Sequence, residues 1–183
     1  MLNIEQSALL IIDIQEKLVM ASKYGPEVAT NVAKLAKAAN ILAIPTIVTE
    51  QYPQGLGSTV AEVQDTLSTT YSRFEKKAFS ALLEEEISNK ISELKANGIN
   101  QIVLCGIETH ICVLQTAADL ISLGFEVFII KDACASRNKK EYKTGLELLK
   151  QYGAKISCVE IALFEWLKTA KHPNFKEVQA LIK

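Results

Sequence analysis

Cys112 stands six residues past Gly106 in the stretch GIETHICV, where an apolar run gives way to a helical pattern. A cysteine in or near the first turn of a helix meets unpaired N–H groups and the positive end of the helix dipole, which favour a thiolate. The position suits a nucleophile; the competing reading is a buried spectator, because free cysteine is among the most buried residue types. Asp13 closes the apolar run ALLIID and must either cap a loop or do acid–base work, since an unpaired buried carboxylate is costly. A third candidate is a lysine in RFEKKAFSALL, where residue type alone does not divide Lys76 from Lys77. The histidines are badly placed to serve as a base. His110 is two residues from Cys112 and so points elsewhere on a helix, and His172 lies in a polar C-terminal segment. A nucleophilic Cys112 would therefore draw on a carboxylate.

The elements that must position these residues follow from periodicity. ALLIID (8–13), TIVTE (46–50), QIVLCGI (101–107), EVFIIKD (126–132) and AKISCVEIA (154–162) are short, β-branched apolar runs, the pattern of strands buried on both faces of a parallel sheet. Between them lie helical stripes. One runs from Pro26, tolerated in a first helical turn, through Val28, Val32, Leu35 and Ala39 to Leu42. The others are Leu83–Leu94, Val113–Ile121 and Tyr142–Leu149, stopped by Gly98, Gly124 and Gly153 in turn.

Strands alternating with helices predict right-handed crossovers and an α/β fold: a three-layer α/β/α sandwich around a doubly wound, mainly parallel, Rossmann-like sheet. One domain over residues 1–183 is expected, with room for extra structure only between Tyr52 and Phe79. Ligands of such sheets bind outside the carboxyl ends of the strands. That rule selects Asp13, Thr49 to Tyr52, Gly106 to Cys112, and Asp132, so Asp13 and Cys112 share an edge.

Bulk composition narrows the partners. The 20 Lys and Arg nearly balance 21 Asp and Glu, without a run of like charge, which argues against nucleic acid or an anionic membrane and for a small-molecule substrate. The stretch MLNIEQSALLIIDIQEKL has no basic leader and its apolar run stops at Asp13, so a cytoplasmic protein is expected. The cysteines at 105, 112, 134 and 158 show no C-x-x-C spacing, which predicts free thiols, with Cys105 and Cys158 in the core.

LLIIDIQ, FEKKAFSAL and GIETHICV, in that order from about Ser7 onward, resemble the isochorismatase-like cysteine hydrolases, a family that includes nicotinamidases. The resemblance implies a catalytic triad of Asp13, Lys76 and Cys112. The lysine of that family lies three residues before an aromatic-Ser pair, and Phe79-Ser80 therefore selects Lys76 over Lys77. It also implies a cis peptide between Ile107 and Glu108, and an oxyanion hole made by the backbone N–H groups of Glu108 and Cys112.

Nicotinamidases carry an Asp-Trp-His-Pro-like motif after the second strand that helps hold a metal. Here EQYP occupies residues 50 to 53, with Tyr52 in place of the first histidine, so neither a His-rich zinc site nor any other cofactor is expected. Gln51 and Tyr52 become candidate substrate-pocket residues, Gln51 as a partner for a substrate amide. Isochorismatase proper cleaves a vinyl ether without needing a cysteine, so an intact Cys112 points to a carbon–nitrogen bond, and ether hydrolysis is the lesser alternative. Two further readings are a catalytically silent oligomeric scaffold and a redox-sensing Cys112, the latter needing a resolving thiol brought close by the fold. A homo-oligomer is expected, because the family commonly assembles and LFEWLK places Trp166 beside other large apolar groups.

Overall fold

The computed structural model describes residues 1–183. The chain runs β1 (Ser7–Ile12), α1 (Glu16–Ala21), α2 (Gly25–Ile41), β2 (Thr46–Gln51), α3 (Pro53–Leu56), α4 (Ala61–Gln64), β3 (Ser72–Lys76) and α5 (Glu85–Ala96). It continues through β4 (Gln101–Ile107), α6 (Leu114–Ser122), β5 (Glu126–Ala135), α7 (Lys139–Gln151), β6 (Lys155–Ser157), α8 (Val159–Leu167) and α9 (Phe175–Gln179). Six parallel strands form one sheet in the order β3-β2-β1-β4-β5-β6. Successive strands are added outward in one direction from β1 to β3 and in the other from β4 to β6, which makes the crevice beyond the carboxyl ends of β1 and β4 the switch point where such sheets bind ligands.

The two strands flanking that crevice are the most apolar. Every residue of β1 and β4 is buried, as expected where helices cover both faces. α2 lies across β1, β4 and β5 together with α8, while α6 packs on β5 and beside α7. The resulting core joins 51 buried apolar residues, Leu9, Ile11, Val103 and Ile129 among them.

Three departures from periodicity have physical causes. β3 was not expected, because SRFEK is polar and half-exposed: it is an edge strand, paired on one side only with β2. The run 154–162 is not one strand. Only Lys155–Ser157 pairs, and Val159, Ala162, Leu163, Trp166 and Leu167 then bury one stripe of a helix, a three- and four-residue spacing hidden behind β-branched composition. Cys158 consequently sits half-buried at the head of α8 rather than in the core. Finally, β5 continues past Asp132 to Ala135 through a bulge opposite β4, so its carboxyl end reaches the switch-point crevice.

Gly106 is required where β4 meets that crevice. Its φ is +133°, and a Cβ there would lie 2.0 Å from the Ile12 carbonyl oxygen. The residue before Asp13 and the glycine before the cysteine turn thus touch backbone to backbone.

Candidate active site

β1 ends at Ile12 and delivers Asp13 in a left-handed conformation with φ 51°, a geometry that aspartate tolerates better than most residues. Its backbone N–H donates to the Thr49 carbonyl (3.1 Å), and the Thr49 hydroxyl donates to Asp13 Oδ1 (2.7 Å). β3 ends at Lys76, whose Nζ lies 2.8 Å from Asp13 Oδ2, both side chains being fully buried. The ammonium aims its N–H groups at Gln51 Oε1 (2.6 Å) and at the carbonyls of Ala78 and Phe79 (3.2 Å each). Lys76 therefore meets Oδ2 as a charge, and Oδ2 keeps a lone pair that no protein donor occupies.

β4 ends at Ile107, the Ile107–Glu108 peptide is cis, and Thr109–Val113 form a π-helical turn that leads into α6. Cys112 sits in that turn, 8% exposed. Its thiol faces the Asp13 carboxyl and the Lys76 ammonium closely enough for both to act on its proton affinity. The Glu108 N–H donates to no other group in the protein.

The electrostatics reverse one expectation. Helix-start geometry alone favours a thiolate, but burial, reinforced by the Asp13 charge, pushes the Cys112 thiol up to about 11 from an ordinary 9.0, and Lys76 only moderates the rise. Asp13 is raised as well, first by burial, with Lys76 and Thr49 pulling it back. The thiol thus faces a carboxyl group whose proton affinity is also raised, an arrangement suited to proton transfer between the two.

Gln51 stands beside the triad lysine. Its Oε1 accepts from Lys76 Nζ and its Nε2 donates to the Lys77 carbonyl (2.8 Å), so the amide ties the end of β2 to the end of β3, with one N–H of Nε2 still available. Gln15, absent from the sequence reading, holds that brace: it accepts from the Gln51 N–H (2.7 Å) and donates to the Gln51 and Gly57 carbonyls (3.0 and 2.6 Å). The one available signal was its place two residues past Asp13, at the mouth of the same strand. Tyr52 is 54% exposed, with φ 38°, and lines a surface cavity of about 260 Å³ with Pro53, Glu75, Lys76, Lys77 and Glu84; Asp13 and Cys112 do not line that cavity.

His110 turns away from the thiol toward Ser136 Oγ (2.9 Å), and the Thr109 hydroxyl donates to the Ala135 carbonyl (3.0 Å). These contacts lace the cysteine turn to the end of β5. No group of three or more His, Cys, Asp or Glu side chains gathers anywhere in the chain to hold a metal ion. A cavity of about 280 Å³ between α2 and α7 is lined by Tyr24, Asp132, Cys134, Ser136 and Tyr142, and again not by Asp13 or Cys112.

Comparison with known proteins agrees with this frame. The isochorismatase-domain family profile matches residues 7–161. The chain belongs to this family. Isochorismatase domain-containing protein 2 of Xenopus laevis is 39% identical over 179 residues, covering 96% of this chain and 83% of that protein. The structure of a MAR1 ribonuclease from Caenorhabditis elegans superposes with a TM-score of 0.93 at 38% identity, over 99% of this chain and 91% of that one. Escherichia coli YcaC, described as an octameric hydrolase of unknown specificity, shares the fold at a TM-score of 0.86 and 22% identity, over 98% of this chain and 94% of its own. Membership supports a hydrolase, and no helix is long and apolar enough to cross a membrane.

Proposed function

We propose that this protein is a cysteine-dependent hydrolase that cleaves the carbon–nitrogen bond of a small amide through a thioester, with Asp13, Lys76 and Cys112 as its triad. The observation that carries this reading is the fully buried Asp13–Lys76 pair facing the Cys112 thiol. Removing such charges from water costs several kcal/mol per ion, a cost without purpose in a silent scaffold.

The steps follow from the atoms. Asp13 Oδ2 takes the thiol proton as sulfur attacks the carbonyl carbon, and Lys76 stabilises the negative charge that moves between sulfur and carboxylate. The oxyanion is received by the backbone N–H groups of Glu108 and Cys112, where loss of one donor typically costs about 10²- to 10³-fold in rate. Asp13 returns its proton to the departing amine, the C–N bond breaks, and a thioester remains. Asp13 then deprotonates the attacking water, and collapse of the second tetrahedral intermediate releases the acid and restores the thiol.

This chemistry asks for no metal: of the two histidines, His110 is committed to Ser136, while His172 accepts a local bond from the Asn174 N–H. Reduced thiols suit a cytosolic enzyme. The near balance of charge does not favour an RNA substrate of the kind the nematode relative's name implies.

The test is ammonia or amine release from a panel of small amides by the native chain and by Cys112→Ala. Turnover should vanish in the variant with its unfolding transition intact; turnover retained by Cys112→Ala would sink the mechanism.

A further inference from the structure

Thr49 lies on β2, fully buried between β1 and β3, and it holds Asp13 twice. Its carbonyl accepts from the Asp13 N–H (3.1 Å) where the Asp13 backbone is left-handed. Its hydroxyl donates to Asp13 Oδ1 (2.7 Å), the one hydrogen bond that hydroxyl makes within the protein. Packing alone would be met by valine, which has the same shape and stands fully buried at the neighbouring Val48. The hydroxyl makes the two carboxylate oxygens unlike. Oδ1 carries the Thr49 hydroxyl, whereas Oδ2 meets the Lys76 charge at 2.8 Å and accepts from no donor.

We infer that Thr49 is a positioning residue that acts through Asp13: its hydroxyl pins Oδ1 and leaves Oδ2 as the oxygen that exchanges a proton with Cys112. The inference rests on the hydrolase reading above. In the exchange the S–H bond breaks as the O–H bond forms, and the pair neither gains nor loses charge. Burial raises the proton affinity of Asp13, and Lys76 and then Thr49 oppose that rise, because a hydrogen bond donated to a carboxylate favours its charged form. The groups facing Asp13 are Thr49 from β2, Lys76 from β3 and the Cys112 thiol from the cysteine turn. Glu50, next along β2, is engaged by Thr59 and Arg73, and His110 turns to Ser136.

A consequence can be read at sulfur. Where the pair holds one proton, that proton sits on Cys112 or on Oδ2. Without the hydroxyl the carboxylate is less stable, so the proton shifts toward Oδ2 and more of Cys112 is thiolate, the form that alkylating reagents attack. The test is iodoacetamide labelling of Cys112 against pH, read by peptide mass spectrometry with Cys158 as the reference thiol, in the native chain and in Thr49→Val. On the acid side both should label alike, because Asp13 is then neutral in each. The native rate should level off as Asp13 ionises. The Thr49→Val rate should rise for about one further pH unit and level off about tenfold higher, the size expected for a hydrogen bond to a charged group. Thr49→Ser, which keeps the hydroxyl, should restore the native profile. Thr46→Val makes the same change at the start of β2, where the hydroxyl bonds the Ile44 carbonyl, and should leave the profile native.

A merely structural threonine would lower the rate at every pH or leave it alone. Either result in Thr49→Val overturns the inference, as does a valine-like profile in Thr49→Ser or in Thr46→Val. If Thr49→Val does not fold, Thr49→Ala takes its place with the same expected and contrary results. Failure of the hydrolase reading looks different: the native chain then releases no amine from any amide of the panel, whatever the labelling profile of Thr49→Val.

Discussion

Asp13 and Cys112 each hold a proton more tightly than their free counterparts, and the shared cause is burial. Their competition decides the behaviour of the thiol. Because the negative charge of Asp13 and its contact with the thiol both raise Cys112, while Lys76 lowers it, Asp13→Asn should bring the thiol down from about 11 toward its ordinary 9.0. The variant should thus combine an easier ionisation of Cys112 with a loss of turnover of about 10²- to 10⁴-fold, the usual worth of a general base. Iodoacetamide labelling of Cys112 against pH checks the first half: the midpoint should move to lower pH. A midpoint that stays or rises would show that Asp13 does not face the thiol as described. The pairing of Asp13 with Lys76 was legible in the sequence only through family resemblance, since two adjacent lysines are equivalent until the sheet places one inside. The position of Gln51 at the edge was evident, but not its bonds to Lys76 and Lys77, which depend on β3 pairing beside β2.

At the scale of elements, the site exists because three strand ends stop at one level and two backbones touch. Gly106 permits that contact. In Gly106→Ala, the added Cβ would meet the Ile12 carbonyl oxygen at 2.0 Å in a backbone conformation that L side chains rarely adopt. A loss of more than about 3 kcal/mol is expected from strain and overpacking together, measured as a fall in the chemical-denaturation midpoint. A near-native midpoint would contradict the close packing of β1 on β4. The buried strands β1, β2 and β4 were readable because parallel strands covered on both faces must be continuously apolar. β3 was not, since an edge strand answers to one neighbour and half to water, and its polar residues resemble a loop. The helix α8 was hidden because valine and isoleucine suit strands in isolation, while the sheet offers Cys158 no further partner after Ser157.

For the whole molecule, Trp166 no longer argues for association. It is 1% exposed and its indole N–H donates to Ser7 Oγ (3.1 Å), binding α8 to the start of β1 inside the core. What remains on the outside of the same helix is Ile161 and Phe164, 50% and 39% exposed, beside Phe175 at a ring distance of 6.4 Å. These exposed apolar groups make a homo-oligomer the expected state, and light scattering coupled to native gel filtration should return a multiple of the 20.1 kDa chain. A strictly monomeric mass over the working concentration range would contradict it.

The central claim, that Cys112 carries the acyl group of an amide while Asp13 shuttles the proton, is tested most directly by rapid acid quench during turnover followed by peptide mass spectrometry. The mechanism predicts an acyl adduct on Cys112 that is absent from Cys105, Cys134 and Cys158 and decays as product accumulates. Product formed at full rate with Cys112 never acylated would contradict it.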